Sequence, residues 1–258
     1  MKQQESQNSD VEQPKKPRKD KGVVLYSPRD EYCLAWIADQ YAVRLDQIQA
    51  LLSRWPMGKV KDKSKGLAAT TVKDQISRWR RAGWIEYQRI LVDQPGWAWI
   101  TRKGLQALGW DNFYTARVPA WSRLNHIYAV NQVRFIMDVR GYTWQSEREY
   151  RRRLEAVEKG GSSGPIPDAI VTGEKIGKVA IEVELSPKKP ADLEEKLDEL
   201  ASCTDSDDRY KFPHIWFYVP DEKARQAAER AREELIEPYQ KRVEIAVIPE
   251  LVVSTVVR

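Results

Sequence analysis

The stretch Pro167-Asp-Ala-Ile-Val-Thr-Gly-Glu-Lys-Ile-Gly-Lys-Val-Ala-Ile-Glu-Val-Glu184 decides the fold of the second half of this chain. Two apolar, β-branched runs flank the turn Gly173-Glu-Lys-Ile-Gly177, and this pattern predicts a β-hairpin. The start of one antiparallel strand lies opposite the end of its partner. We therefore expect Asp168 to approach Glu182 or Glu184.

These three carboxylates form the first candidate site. Glu182 and Glu184 alternate with apolar residues, so they share one face of their strand. Three like charges this close together repel one another unless a metal ion, a lysine or an arginine lies between them. Carboxylate oxygens suit Mg²⁺ or Mn²⁺, which can activate a water and offset the charge of a phosphodiester. The alternative is an acidic stripe that faces solvent on a half-exposed strand.

Composition limits the class of protein. A length of 258 residues predicts two domains of ordinary size. No apolar run approaches the roughly 20 residues of a membrane span, and the polar start of the chain is unlike a signal peptide. The two cysteines, Cys33 and Cys203, have neither metal-ligand nor disulfide spacing. We therefore expect a soluble, cytoplasmic protein with no membrane partner.

The net charge of +5 is unevenly distributed along the chain. Up to Val118 there are 21 Lys and Arg against 13 Asp and Glu, a formal charge of +8. From Pro119 onward there are 22 against 25, a formal charge of −3. This asymmetry predicts that the front half binds a polyanion. Residues 1–22 are polar and almost without apolar side chains, so we expect them to form a disordered tail.

Residues 23–118 show the pattern of three helices, a β-hairpin and a closing helix. Ser27-Pro28-Arg29-Asp30 has the capping serine and the proline at the first helical position that are typical of a helix start. A second helix is expected to end before Pro56, and a third to run from Thr70 or Thr71 to Gly83. The hairpin and the closing helix follow, with expected ranges 84–92, 97–100 and 101–108.

This pattern resembles a winged helix-turn-helix domain over residues 27–109. The runs Arg80-Arg-Ala-Gly-Trp-Ile-Glu-Tyr87 and Gly96-Trp-Ala-Trp-Ile-Thr-Arg-Lys-Gly-Leu-Gln-Ala-Leu-Gly109 are similar to the helix exit, wing and following helix of bacterial winged-helix regulators. The resemblance implies that the third helix enters the major groove of DNA. The groove-facing candidates are then Thr70, Lys73, Ser77, Arg78 and Arg81, and the candidates for phosphate contacts are Arg89, Arg102 and Lys103.

Two alternatives stay open for this part of the chain. A winged helix can also make protein contacts, and its arginines would then simply be solvated. The connection Pro56–Gly66 is longer than a tight helix-turn-helix turn and carries four lysines. It could be a flexible phosphate clamp or an exposed insertion.

Residues 119–258 show a different order of elements. An amphipathic helix from Trp121 to Arg140 carries His126, which we interpret as a structural histidine rather than a catalytic base. The order that follows is strand, hairpin, helix, strand, helix and strand, with expected ranges 142–146, 168–185, from 190, 214–219, 221–236 and 243–248. This order predicts a mixed sheet flanked by helices.

That order resembles the core of the restriction-endonuclease-like fold, whose motif is written PD-(D/E)xK. Pro167-Asp168 matches the first part and Glu182 the second, while Glu184 occupies the place of the usual lysine. The resemblance implies that Asp168 and Glu182 are metal ligands, with Glu147 as a third carboxylate. The missing lysine weakens the case for catalysis, because a cation normally orients the water and offsets phosphate charge.

Lys196 is the candidate for a lysine that has moved to another element. It lies between Leu193 and Leu200 on the helix after the hairpin, so its stem flanks the inward face of that helix. The alternative is that Lys196 is a simple ion-pair partner of Asp192 or Glu199.

The whole arrangement resembles the bacterial replication-relaxation family. The runs that carry the resemblance are Trp144-Gln-Ser-Glu-Arg-Glu-Tyr-Arg-Arg-Arg153, Pro165-Ile-Pro-Asp-Ala-Ile-Val171 and the segment from Val179 to Leu197. The family implies a DNA-binding protein of plasmids or mobile elements, acting in their replication, mobilisation or regulation. Its implied partners are double-stranded DNA and other replication or mobilisation proteins, and two copies could pair across a palindrome.

Two functional hypotheses follow from the sequence. In one, the second domain keeps the nuclease-like fold without chemistry, and the protein acts by binding DNA. In the other, it is a DNA endonuclease or nickase that uses Mg²⁺ or Mn²⁺ with Asp168, Glu182 and Lys196. Glu184 at the lysine position favours the first.

Overall fold

The chain folds as a mixed α+β protein in which a mixed sheet is flanked by helices, as the sequence predicted. The computed structural model describes residues 25–54, 67–157, 165–186, 188–202 and 212–250. The expected tail at 1–22, the lysine-rich connection at 56–66 and the glycine-rich segment at 160–164 lie outside these ranges.

The N-terminal part packs helices around a small antiparallel sheet. Its helices are α1 (Pro28–Asp39), α2 (Leu45–Arg54), α3 (Ala69–Ala82) and α4 (Arg102–Leu108). Its strands are β1 (Val43–Arg44), β2 (Ile85–Gln88) and β3 (Trp97–Ile100), in the order β1-β3-β2. The hairpin and all four helices were predicted, whereas β1 was not, because two residues are too few to show strand alternation.

Local chemistry explains where these helices begin and end. Ser27 and Asp30 form a capping box, in which the Ser27 hydroxyl accepts from the Asp30 backbone and the Asp30 carboxylate accepts from the Ser27 backbone. Gly83 ends α3 with a φ of 73°, a left-handed conformation that a residue with a Cβ adopts only at a cost. Trp79 is fully buried among the helices, so the end of α3 is fixed against the rest of the unit.

The second part contains a five-stranded sheet in the order β4-β5-β6-β7-β8. Its strands are β4 (Thr143–Ser146), β5 (Ala169–Gly173), β6 (Gly177–Val183), β7 (His214–Val219) and β8 (Val243–Val247). Strands β4, β5 and β6 are antiparallel neighbours, while β6, β7 and β8 are parallel. The predicted hairpin is therefore the antiparallel part of a mixed sheet.

Helices cover both faces of this sheet. They are α5 (Leu124–Val139), α6 (Glu147–Val157), α7 (Pro190–Ser202), α8 (Glu222–Glu233) and α9 (Glu237–Gln240). On one face Val133 of α5 packs with Val171 and Ile181, and on the other Leu197 of α7 packs with Phe217. Helix α6 interrupts the expected succession of strands between β4 and β5, and it carries a run of arginines.

Helix α5 also packs against the N-terminal part. Phe135 stacks on Trp36 with ring centroids 4.8 Å apart, and the Trp36 indole donates to the Asp138 carboxylate. Arg134 pairs with Asp39 of α1 at 2.7 Å. The beginning of the large sheet therefore lies next to the end of α1.

The sequence predicted that Cys33 has no metal-ligand or disulfide role and that no helix spans a membrane. Cys33 lies fully buried in the N-terminal core, and burial raises the pKa of its thiol, consistent with a small core residue. Among the helices that the structure describes, none combines the length and apolar character of a membrane span.

Candidate functional site

Asp168 lies immediately before β5, at the edge of the large sheet. Ala169 pairs with Ile181 in the antiparallel ladder, so the next position along the ladder sets Asp168 opposite Glu182. The Asp168 Oδ2 accepts a hydrogen bond of 2.9 Å from the backbone N–H of Val183. The hairpin register thus holds the first motif carboxylate against the strand that carries the second.

His126 reaches the same carboxylate from α5. Its Nε2 lies 2.7 Å from the Asp168 Oδ1. Burial disfavours the charged ring, but the hydrogen bond to Asp168 and the charges of Asp168 and Glu182 together outweigh burial and hold the pKa of His126 above its usual value. We interpreted His126 as a structural residue from the sequence, whereas the structure places it at the candidate site. The only sequence signal was that this chain has two histidines.

Lys196 bridges the two glutamates of the β6 segment. Its Nζ lies 2.6 Å from the Glu182 Oε1 and 3.1 Å from the Glu184 Oε2. The buried Leu197 fixes α7 on the sheet, and this packing directs Lys196 toward the strand. Its ion-pair partners are thus these strand carboxylates and not Asp192 or Glu199.

Burial and neighbouring charges shift the pKa values of Glu182, Glu184 and Lys196 in different directions. Burial, helped by the nearby Asp168 charge, raises the pKa of Glu182 to about 7 in spite of Lys196. Burial also opposes ionisation of Glu184, but the Ser186 backbone N–H and Lys196 together hold its pKa below the usual value. Although burial works against the ammonium, the two glutamates hold the pKa of Lys196 above its usual value. The lysine is therefore fixed in its charged form.

Glu147, the expected third carboxylate, has other partners. It begins α6, and its backbone N–H donates to the Asp168 carbonyl at 3.0 Å. Its carboxylate pairs with Arg151 at 2.7 Å and with Arg123 at 3.3 Å. Glu147, Asp168 and His126 nevertheless line one cleft at the junction of α5, α6 and the sheet.

The donor set bears on the expected Mg²⁺ or Mn²⁺. Within the described ranges, no three His, Cys, Asp or Glu side chains are grouped so that they could hold a metal ion. Mg²⁺ is often held by one or two carboxylates with waters completing its shell, so Asp168 and Glu182 are the two residues whose chemistry fits. Each of the three expected ligands already has a cationic side chain beside it, His126 at Asp168, Lys196 at Glu182 and two arginines at Glu147, so a metal ion would compete with these groups.

Helix α3 presents most of the expected DNA-contacting residues to solvent. Val72, Ile76 and Trp79 are buried on its inner side. The exposed expected residues on α3 are Thr70, Lys73, Ser77 and Arg81, and those elsewhere are Arg89, Arg102 and Lys103. One outer face of α3 is therefore polar and basic.

Arg78 departs from that expectation. It is half-buried, forms an ion pair with the fully buried Asp30 of α1 and donates to the Leu25 carbonyl at 2.8 Å. Asp30 also accepts from the Trp79 indole at 2.7 Å and from Gln75 at 3.0 Å. The guanidinium is held within the protein because a buried carboxylate requires a cationic partner, so Arg78 fastens α3 to α1.

Comparisons with protein-family models, curated proteins and solved structures found no match to this chain. Its function is therefore inferred from its own residues.

Proposed function

We propose that this protein binds double-stranded DNA as a winged helix-turn-helix protein, with α3 in the major groove and the β2–β3 hairpin along the backbone. The observation that carries the proposal is the outer face of α3. Thr70, Lys73, Ser77 and Arg81 are exposed there, opposite the buried face of the helix, in the part of the chain whose formal charge is +8.

The second part of the chain supports a role in which the protein acts on DNA without cleaving it. Its mixed sheet carries Asp168 and Glu182 where a nuclease-like domain would carry them, and Glu184 stands in the lysine position. We propose a nuclease-like domain without chemistry in a protein of plasmid or mobile-element replication, mobilisation or regulation. Other proteins of those processes, or a second copy, would be its partners.

A substitution on α3 tests the duplex-binding proposal. Lys73→Ala with Arg81→Ala should weaken binding to a mixed-sequence DNA duplex about tenfold or more, and should flatten its salt dependence because two cations are lost from the interface. The measurement is fluorescence anisotropy over a range of salt concentrations.

The matched control for this test is Arg230→Ala, which removes an exposed arginine from α8 in the other part of the chain. The control should bind as tightly as the wild type. If the α3 variant also binds with unchanged affinity and salt slope, the DNA does not contact α3 and the proposal fails.

A second candidate function is metal-dependent DNA cleavage, and one observation favours it. Lys196 reaches Glu182 from helix α7, so a cation lies beside this motif carboxylate although the lysine of the motif itself is absent. Asp168 and Glu182 would hold Mg²⁺ or Mn²⁺, which when bound supplies an activated water and neutralises phosphate charge. Lys196 would then orient a phosphate oxygen or the water.

Nicking of supercoiled plasmid in Mg²⁺ or Mn²⁺ separates the two functions. If the site is catalytic, Asp168→Asn with Glu182→Gln should lower the nicking rate by about a hundredfold or more, because it removes both metal-binding carboxylates. Equal background nicking by the wild type and this variant would leave only the binding role. Duplex affinity measured on the same samples shows whether the variant is still competent to bind.

A further inference from the structure

A second cleft lies between the N-terminal part and α6, apart from the exposed face of α3. Three aromatic residues and several arginines line it, among them Tyr41, Phe113, Tyr114, Arg117, Arg148 and Arg152. Basic side chains interleaved with aromatic rings are typical of surfaces that bind nucleic-acid strands.

Arg148 lies at the bottom of this cleft, where hydrogen bonds to backbone carbonyls hold its side chain in place. Its guanidinium donates to the carbonyls of Ala38 and Thr115 and lies 4.3 Å from the centre of the Tyr114 ring. Burial, with a smaller contribution from the charge of Arg117, lowers the pKa of Arg148. Four arginines and one carboxylate, that of Glu155, line the cleft, so its surface is basic.

Arg117 and Arg152 are the arginines of this cleft whose positive charge is available to a bound phosphate. Neither forms an ion pair with any carboxylate in the part of the chain that the structure describes. The Arg152 guanidinium lies over the Phe113 ring, 4.1 Å from its centre, and the Phe113 side chain is 46% exposed. An accessible ring beside an unpaired guanidinium offers one partner for a base and another for a phosphate.

The position of the cleft connects it with the candidate site. Tyr41 lines both this cleft and the one that contains Asp168, His126 and Glu147. Arg123, whose side chain is 49% exposed, lies on the side toward Asp168. A strand lying along the arginines would thus pass beside the sheet edge that carries the carboxylates.

We propose that this cleft binds a single strand of DNA, with phosphates on Arg117 and Arg152 and a base against Phe113. A single strand is favoured over a duplex because its unpaired bases can stack on an exposed ring such as Phe113, whereas the bases of a duplex are already stacked on one another. The inference rests on the proposed function in taking DNA as the polymer, and it adds a surface for unpaired strands that α3 does not supply.

The test is anisotropy of a labelled oligonucleotide of about 20 deoxythymidines, which cannot pair with itself, bound to the full chain. Arg117→Ala with Arg152→Ala should weaken this binding about tenfold or more and change duplex affinity by about threefold or less. Phe113→Leu, which keeps apolar bulk and loses the ring, should weaken it about fivefold or more. Thermal melts should show both variants folded at the assay temperature, because Arg117 is exposed and Arg152 makes no ion pair in the described structure.

The variant pairs separate this inference from the duplex-binding proposal. The α3 variant Lys73→Ala with Arg81→Ala should bind the single strand as the wild type does. If α3 substitutions leave duplex affinity unchanged while the cleft variants still lose the single strand, the proposed function fails and the inference stands. Unchanged single-strand affinity in Arg117→Ala with Arg152→Ala overturns the inference, as does binding of polyglutamate as tightly as the oligonucleotide.

Discussion

Replacing Asp30 with alanine should lower the free energy of unfolding by about 3 kcal/mol or more, one of the largest losses expected from a single substitution in this chain. Asp30 is fully buried, and its carboxylate accepts hydrogen bonds from Ser27, Gln75, Arg78 and Trp79. Alanine would remove the capping box of α1 and leave the Arg78 charge and the Trp79 indole without their acceptor. Urea unfolding followed by tryptophan fluorescence measures the loss.

Asp30→Asn is the matched control. Its amide oxygen can still accept from Trp79 and Gln75, but it cannot balance the Arg78 charge, so we expect a loss intermediate between the wild type and Asp30→Ala. A loss below about 1 kcal/mol for alanine would show that this network does not stabilise the N-terminal part.

The same carboxylate predicts a pH dependence. Burial alone would raise the pKa of Asp30, but the bonds from Arg78, Ser27 and Trp79 outweigh burial and hold it below the usual value. The carboxylate therefore contributes stability above the unfolded-state pKa of about 3.9, and that contribution is lost as pH falls through the lower folded-state pKa. Unfolding free energies measured between about pH 6 and pH 3 should fall more steeply for the wild type than for Asp30→Asn.

Local signals in the sequence predicted most of the helices and strands. The capping box at Ser27, the glycine at 83 and the glycine-flanked turn at 173–177 each act within a few residues, so they are visible without the fold. Helix α6 was not predicted because arginines and glutamates make up most of its sequence. Its apolar residues Tyr150, Leu154 and Val157 follow a helical spacing, but three positions in so short a run do not establish a helical period.

The candidate site was predictable where strand register or helical spacing decided it. Asp168 and Glu182 meet because antiparallel register follows from the hairpin, and Lys196 was a candidate because helix spacing set it beside buried leucines. The pairing of His126 with Asp168 spans 42 residues, and that of Arg78 with Asp30 spans 48. Such contacts depend on how α5 packs on the sheet and α3 on α1, which no local pattern specifies.

Replacing Lys196 with methionine should lower the free energy of unfolding by about 2–3 kcal/mol, because it leaves Glu182 and Glu184 close together without their shared cation. The side chain of Lys196 is 25% exposed and those of the glutamates are 13% and 12% exposed, so water screens the charges only in part. Methionine keeps the length and apolar stem of lysine, and the effect therefore reports the lost charge. The measurement is urea unfolding at neutral pH.

The double variant Lys196→Met with Glu182→Gln provides the decisive comparison. Neutral glutamine removes the charge that burial already disfavours at Glu182, while Glu184 keeps the Ser186 N–H and Lys188 as partners. We expect the double variant to recover about half or more of the lost stability, and strict additivity of the two substitutions would show that Lys196 and Glu182 are not coupled. Nicking is therefore measured on Lys196→Met alone, at a temperature where urea titration shows it to be folded, because Glu182→Gln would itself remove a proposed metal ligand. The pair of measurements thus distinguishes a lysine that only neutralises buried carboxylates from one that also acts on a phosphodiester.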